Sequence, residues 1–173
     1  MPFWQVSADI SLISHRLPAV LRLKEGFAMK LINLLGYAGL LPFVLLPLAY
    51  HLQWLAGSTQ LFLLYQLYSA LILGFMAGVL WPVLYQQPAS ATTNKLALLA
   101  VSFPVFSIIS LALLPGYFLL LQAILFALLR LSEVGSGINR RYSSSYQSLR
   151  NNLSVVVIIS HVVMYAMTIL WVN

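Results

Sequence analysis

His161 is the residue of this sequence most able to do chemistry inside an apolar environment. It lies well inside a long apolar run near the C-terminus, where an ionisable group is a functional candidate by default. Such a histidine carries protons, binds a haem iron or donates a hydrogen bond to a lipid or quinone. The structural alternative is a neutral histidine that is bonded to a serine, a tyrosine or a backbone carbonyl of a neighbouring helix. The sequence leaves these roles open.

A second candidate group consists of serine and glutamine side chains. Gln66, Ser69, Ser107, Ser110 and Gln122 lie in three other apolar runs and map to the outer half of each run. If these side chains face one another, they line a small polar pocket that is open to the outer face. Such residues also join transmembrane helices through hydrogen bonds worth roughly 0.6 kcal/mol each, so simple helix adhesion is the alternative.

The residue types that most enzymatic mechanisms need are scarce in this sequence. It has no cysteine, and its only acids are Asp9, Glu25 and Glu133. Disulfides, thiolate metal sites and cysteine nucleophiles are therefore excluded, and acid–base catalysis inside a membrane would lack carboxylates. The sequence also has no HExxH, GxSxG or phosphate-binding glycine motif. We expect a protein that is not an enzyme and that holds no cofactor or metal.

The composition predicts a membrane protein. Hydrophobic residues make up 61% of the 173 positions and charged residues only 7%, whereas soluble domains have roughly 25% charged residues. Five apolar runs are long enough to cross a bilayer as helices, at about residues 31–50, 61–84, 96–114, 116–131 and 153–172. The expected fold class is all-α: an integral membrane bundle of five transmembrane helices, forming one domain over residues 31–173.

The positions of the basic residues predict how this bundle is oriented. All nine Lys and Arg residues precede the first run, separate the second from the third, or flank or fill the connection between the fourth and fifth. The positive-inside rule then puts the N-terminus inside and the C-terminus outside. Because topology explains the net charge of +6, we expect no nucleic-acid partner. A basic inner surface centred on Arg140, Arg141 and Arg150 is suited to anionic lipids or an acidic partner.

Residues 1–30 are predicted to form a separate interfacial segment. Apolar side chains such as Ile10, Leu17 and Leu21 cluster on one side of a helical wheel, which favours an amphipathic helix on the inner membrane surface. The segment lacks the early positive region and the cleavage site of a secretory signal.

Small residues predict a close helix contact in the second run. Ala70, Gly74 and Gly78 recur at every fourth position, which lets the backbone of another helix approach closely. The stripe either packs inside the bundle, with Gly36 and Gly39 of the first run as its partner surface, or forms a contact between two copies of the chain.

Three motifs resemble those of a known family. They are LGYAGLLPF at residues 35–43, YSALILGF at 68–75 followed by Gly78 and Trp81, and the YxxLRxxLS pattern at 146–154. In this order, and over roughly residues 33–170, they resemble a bacterial domain-of-unknown-function family whose mitochondrial relative is called transmembrane protein 69. The resemblance implies a small multi-pass protein of the bacterial inner membrane, or of the mitochondrial inner membrane in a eukaryote, and implies no particular activity.

These observations together favour a non-enzymatic, multi-pass inner-membrane protein. We expect an accessory subunit, assembly factor or scaffold of a larger membrane complex, with the lipid bilayer and another membrane protein or further copies of the chain as partners. The alternative is a small channel or carrier for a lipid-soluble or small polar ligand. His161 and the outer-half Ser and Gln residues would then line its path.

Overall fold

Long apolar helices make up most of a computed structural model of the chain, which describes residues 31, 33–54, 58–85 and 91–170. No strand occurs within these ranges. The chain divides into two units, Met1–Ala38 and Gly39–Asn173. In the first unit residues 33–38 are helical. The predicted interfacial segment, residues 1–30, lies outside the described residues.

The described part of the second unit is a series of helices. They are α1 (Leu41–His51), α2 (Ser58–Gly78), α3 (Leu80–Tyr85), α4 (Ala91–Leu113), α5 (Phe118–Gly135), a 3₁₀ helix (Ile138–Arg141) and α6 (Ser144–Leu170). By length and composition, five helical spans are able to cross a membrane: Asn33–His51, Thr59–Gly78, Thr93–Leu113, Phe118–Gly135 and Ser144–Ile169. For the part of the chain that the structure describes, the prediction of an all-helical fold with five such helices is confirmed.

The predicted second helix, residues 61–84, is interrupted near its end. α2 ends at Gly78 and α3 begins at Leu80. Pro82 explains the break, because proline has no N–H to donate to the carbonyl of the residue four positions earlier, which is Gly78.

The connection predicted between the last two helices is too long. The fourth and fifth helices were expected at about 116–131 and 153–172, but α5 continues to Gly135 and α6 begins at Ser144. The added turns contain Glu133, Arg150 and Asn151. The side chains of these residues form hydrogen bonds and ion pairs within the protein, as described below, so the helices can continue through them.

α2 and α5 occupy the centre of the second unit. In the most apolar window of each, 44% of the residues are buried, against 28% for α4 and α6. α2 packs against α1 and α4, and α5 packs against α4 and α6. A short turn joins α4 to α5, closed by a 3.0 Å hydrogen bond from the Tyr117 N–H to the Leu114 carbonyl.

The two ends of this unit differ in charge. We call one the cleft end; it contains the end of α1, the start of α2, the turn between α4 and α5, and the end of α6. The other is the charged end, with the start of α4, the end of α5, the 3₁₀ helix and the start of α6. Every Lys, Arg, Asp and Glu in the described ranges lies at the charged end: Lys95, Arg130, Glu133, Arg140, Arg141 and Arg150.

Candidate functional site

His161 lies in the first of two buried polar clusters, and both of its ring nitrogens are hydrogen-bonded. Nδ1 lies 2.7 Å from the carbonyl oxygen of Val157, and Nε2 lies 2.6 Å from the hydroxyl oxygen of Ser69 in α2. A carbonyl oxygen only accepts, so Nδ1 carries the proton and Nε2 accepts a hydrogen bond from Ser69. These contacts fit a neutral histidine that is fixed in one tautomer.

Aromatic rings enclose this imidazole. The ring centroids of Phe43, Tyr65 and Phe126 lie 5.7, 5.1 and 5.7 Å from its centroid, and His161 is 0% exposed. A haem iron or a transported proton at Nε2 would have to displace the Ser69 hydroxyl from this packed space. The geometry therefore favours the bonded, neutral histidine over the ligand and carrier roles.

A hydrogen-bonded chain beside His161 begins at a proline. Pro47 lies inside α1 and has no N–H, so the carbonyl oxygen of Phe43 loses its helical partner. Ser160 of α6 donates to that oxygen over 2.5 Å, and the same hydroxyl lies 2.8 Å from the Tyr65 hydroxyl. Because Ser160 has only one hydroxyl proton, Tyr65 donates to Ser160. The chain joins α2, α6 and α1.

The predicted serine and glutamine group is distributed over different partners. Ser69 pairs with His161, whereas Ser107 of α4 donates to Oε1 of Gln122 in α5 over 2.9 Å. Gln66 and Gln122 are 4% and 0% exposed, and neither amide nitrogen has a hydrogen-bond partner among the described residues. The Ser107–Gln122 contact is helix adhesion, while the two amide nitrogens are buried donors that still need an acceptor.

The second cluster surrounds Glu133, which is 0% exposed. Nη1 of Arg130 donates to Oε2 of Glu133 over 2.8 Å. Arg150 binds the same carboxylate with two nitrogens: Nε lies 3.0 Å from Oε2, and Nη2 contacts Oε1. Such bidentate arginine–carboxylate pairs are strong and directional. The two arginines are 9% and 3% exposed, so the three side chains form a buried ion triad.

Neutral groups accept further hydrogen bonds from the two arginines. Arg130 donates to Asn151 over 2.7 Å and to Asn139 over 2.9 Å. Arg150 donates to the carbonyl oxygen of Met76, near the end of α2, and to the Tyr146 hydroxyl, each over 3.3 Å. The triad therefore connects α2, α5, the 3₁₀ helix and α6.

Two tyrosine rings flank the guanidinium group of Arg150. Its Cζ atom lies 5.9 Å from the ring centroid of Tyr142 and 5.8 Å from that of Tyr146, where an aromatic face attracts a cation. Burial raises the pKa of Tyr142, and the positive charge of Arg150 opposes that rise. The rings help to stabilise a triad that has two positive charges and one negative charge.

Arg150 does not belong to the basic surface that the sequence predicted. It is buried and bound to Glu133, so it is not available to lipids or to an acidic partner. Arg140 is exposed on the 3₁₀ helix, and the side chain of Arg141 lies outside the described part. The sequence contained a signal for the Glu133–Arg150 ion pair. Glu133 is the only acid after Glu25, and a buried acid requires a basic partner.

The small-residue stripe packs within the second unit at Gly74. A Cβ atom at Gly74 would lie 3.6 Å from the Cβ atom of Pro104 in α4, and Ala70 is 7% exposed. Gly78 is exposed, and no atom lies within 4 Å of the position that its Cβ would take. Only the part of the stripe near Gly78 is therefore open to another molecule.

At Gly74 the stripe packs against α4, while Gly36 and Gly39 as a partner surface for the rest of the stripe stay a prediction. The position facing Gly74 is occupied by Pro104 of α4. The carbonyl oxygen of Gly39 accepts a 2.8 Å hydrogen bond from the Tyr68 hydroxyl. Gly36 is half-buried and belongs to the first unit.

A cleft of about 790 Å³ lies at the cleft end of the unit. Five of the residues that line it carry a hydroxyl group: Tyr50, Tyr117, Tyr165, Thr59 and Thr168. The predicted Ser and Gln residues do not line it. Sequence reasoning singled out none of these side chains, because tyrosines near helix ends are common at the membrane interfaces of helical proteins.

The helices and the two buried clusters define a helical membrane protein whose interior polar groups are bonded mainly to one another. The chain matches a family described as "Protein of unknown function (DUF3429)" over residues 28–166, and it belongs to that family. Its resemblance to an uncharacterised domain family is thereby confirmed. No curated protein and no solved structure matches the chain. Within the described ranges, His, Asp and Glu side chains form no group of three that could hold a metal ion.

Proposed function

We propose that this protein is a non-enzymatic accessory subunit, assembly factor or scaffold of a larger membrane complex. The supporting observation is that the interior groups best able to do chemistry bond to one another: His161 to Ser69, and Glu133 to Arg130 and Arg150. A buried network of hydrogen bonds and ion pairs holds its helices in place, and the bonded atoms of its members are already engaged with protein groups. The protein would therefore act through its membrane-facing surface.

The orientation and location of the protein are part of this proposal. We infer that the charged end faces inward, with the N-terminus inside and the C-terminus outside, because the positive-inside rule favours this arrangement. Residues 1–30 would form an amphipathic helix on that inner surface. The membrane would be the bacterial inner membrane, or the mitochondrial inner membrane in a eukaryote.

In this proposal the predicted basic surface, without Arg150, contacts lipid. Arg140 and Arg141 lie on the 3₁₀ helix at the charged end. Each basic residue near an anionic membrane surface contributes about 1 kcal/mol of attraction. We expect anionic lipid there and no nucleic-acid partner.

Cross-linking in native membranes, followed by purification in mild detergent, tests the scaffold proposal. We expect the chain to be recovered with another membrane protein, or with further copies of itself, at a fixed ratio. A strictly monomeric protein that carries no partner after cross-linking would contradict the proposal.

Gly78 offers a substitution that changes the surface without crowding the interior. It is exposed at the end of α2 with space for a side chain. If the open end of the small-residue stripe is the contact face, Gly78→Leu lowers the cross-linked yield while the unfolding temperature stays at the wild-type value. Gly135→Leu is the matched control, because Gly135 is equally open at the end of α5. Equal yields from the two variants would rule out this face.

A small channel or carrier is the second candidate function. It is favoured by the two unsatisfied amide nitrogens of Gln66 and Gln122, which lie buried on the α2 and α5 helices. Unsatisfied donors inside a bundle are expected to bind water or a small polar solute. Stopped-flow light scattering of reconstituted vesicles would measure the uptake of glycerol and urea. We expect Gln122→Leu to abolish any uptake above that of empty vesicles, and unchanged uptake would reject this path.

A further inference from the structure

We propose that the cleft described above binds the polar head group of an uncharged lipid, one that presents hydroxyl or carbonyl oxygens. This goes beyond the scaffold role and does not depend on it. The argument rests on the side chains that line the cleft, on the separation of this end from the charged residues, and on two buried amides next to it.

The lining of the cleft matches an amphiphile. Its volume, about 790 Å³, falls within the range of roughly 300–1,000 Å³ that is typical of small-molecule sites. Tyr50, Tyr117 and Tyr165 supply phenolic hydroxyls, while Phe62 and Leu119 supply apolar surface. The cleft lies at the ends of membrane-spanning helices, where the polar ends of lipids meet the hydrocarbon. Its occupant is therefore a lipid with one hydrogen-bonding end.

The hydroxyl groups favour a ligand that accepts hydrogen bonds. The hydroxyl of Thr168 donates to the carbonyl oxygen of Tyr165 over 2.7 Å, so that threonine offers a ligand only its oxygen lone pairs. The phenols of Tyr50 and Tyr117 have O–H groups with which to donate. Head-group oxygens are the matching acceptors.

The charge distribution selects against charged head groups. None of the described residues that line the cleft is an acid, a lysine or an arginine, and His51, which follows Tyr50 at the end of α1, does not line it. The nearest acid or base along α5 is Arg130, which is separated from Phe118, the first residue of that helix, by about 18 Å at 1.5 Å per residue. A phosphate group entering the cleft would lose water without gaining a counter-charge, which is costly. An uncharged head group avoids that cost.

Two buried amides next to the cleft point independently to an acceptor. Gln66 follows Phe62 by four residues on α2, and Gln122 follows Leu119 by three residues on α5, so each glutamine shares a helix face with a cleft residue. Both are at least nine-tenths buried, and both amide nitrogens lack a partner in the described part of the chain. A ligand oxygen, or a water held by the ligand, would satisfy donors at this depth.

Photoaffinity labelling of the full chain in phosphatidylcholine vesicles tests the proposal. Three probes carry the same diazirine-bearing chain: a diacylglycerol with a hydroxyl head, a prenyl quinone with carbonyl groups, and the anionic phosphatidylglycerol. We expect an uncharged probe to label the peptides that contain Tyr117 and Thr168 at least about fivefold more than phosphatidylglycerol does, the discrimination of one hydrogen bond. Whichever uncharged probe gives the stronger labelling identifies the source of the oxygen.

Equal or stronger labelling of these peptides by phosphatidylglycerol would overturn the proposal. So would the absence of labelling there by both uncharged probes. Either result would mean that the cleft does not recognise an uncharged head group.

Two glycines give a matched pair of variants for the same experiment. Gly116 lines the cleft and has no atom within 4 Å of its would-be Cβ, and Gly135 is equally open at the charged end. Gly116→Phe fills the cleft and is expected to lower labelling by the uncharged probe about fivefold or more. Gly135→Phe should label like the wild type. Undiminished labelling in a folded Gly116→Phe protein would overturn the proposal.

A third variant keeps the test independent of cleft filling. Combined replacement of Tyr50, Tyr117 and Tyr165 by Phe retains the rings that line the cleft and removes their hydroxyls. We expect the preference for the uncharged probe over phosphatidylglycerol to disappear. A preference that persists in this variant would refute recognition by the phenols.

Discussion

The ion triad at the charged end predicts a large loss of stability when its only acid is neutralised. Glu133→Gln keeps the size of the side chain but removes the negative charge between Arg130 and Arg150. Both arginines then lie buried without a counter-ion. Because their other partners are neutral amides, a carbonyl and a phenol, nothing else in the cluster neutralises them.

The size of the effect follows from the contacts. Two unit charges 4 Å apart attract by about 4 kcal/mol at an effective dielectric constant near 20, and Glu133 attracts two arginines. Each side chain has already lost its hydration, which offsets part of this gain. Removal of one partner from a buried pair costs about 3–5 kcal/mol. We expect Glu133→Gln to lower the free energy of unfolding by about 4 kcal/mol.

Equilibrium unfolding in mixed micelles, with increasing sodium dodecyl sulfate, measures this change. The chain has four tryptophans and no cysteine, so tryptophan fluorescence is the suitable signal. Arg140→Gln is the matched control, because Arg140 is exposed at the same end, and it should change the free energy by less than about 0.5 kcal/mol. A value for Glu133→Gln as small as that of the control would refute the reasoning.

A double substitution separates charge from packing. Glu133→Leu alone leaves Arg130 and Arg150 buried and unpaired, whereas Glu133→Leu combined with Arg150→Met replaces the bidentate pair by apolar groups and leaves only Arg130 without a counter-ion. Buried ion pairs are often replaced in this way with little loss. We therefore expect the double variant to be more stable than Glu133→Leu. If the stability losses of Glu133→Leu and of Arg150→Met, each measured alone, sum to the loss of the double variant, Glu133 and Arg150 are not electrostatically coupled.

Three further predictions concern the interior of the bundle. Ser69→Ala should cost about 1–3 kcal/mol, since Nε2 of His161 loses its donor, and a loss below the error of the unfolding titration would argue against that hydrogen bond. Ser160→Ala should destabilise the wild type more than it destabilises a Pro47→Ala variant, in which the helix regains its own N–H; equal losses in the two backgrounds would contradict this account. Gly74→Ala should be tolerated because its Cβ would make an ordinary contact with Pro104. Gly74→Leu should lower the free energy of unfolding by about 1–3 kcal/mol through overpacking. Similar unfolding curves for the two variants would show that α4 does not pack there.

Hydropathy alone was enough to predict the five helices of the described ranges that are long and apolar enough to cross a membrane. Their apolar runs are long and lack central charges, and no other element satisfies the backbone in such a run. The same reasoning failed between residues 132 and 152, which it assigned to a polar connection. Glu133 and Arg150 lie inside α5 and α6 because they form an ion pair with each other across the connection. A local average of hydropathy contains no information about such pairing between distant residues.

The hydrogen-bonding partners of the buried groups depend on which helices become neighbours. The sequence indicated that His161 would need a partner, and the alternatives included a serine, but Ser69 lies 92 residues away in the chain. Pro47 likewise indicates a carbonyl without a helical donor at Phe43, and only the packing of α6 on α1 identifies Ser160 as that donor. Local sequence rules identify which buried groups lack a hydrogen-bond partner, and only the tertiary fold shows which groups become their partners.

Native mass spectrometry of the protein released directly from its membrane tests the central claim most directly. The claim is that the interior polar groups are committed to holding the helices together, so that the protein works by contact with other membrane proteins. It predicts a species heavier than one 19.3 kDa chain by the mass of a partner, or of a further copy, at a fixed ratio. A spectrum that contains only the single chain, from membranes in which cross-linking also finds no neighbour, would contradict the claim.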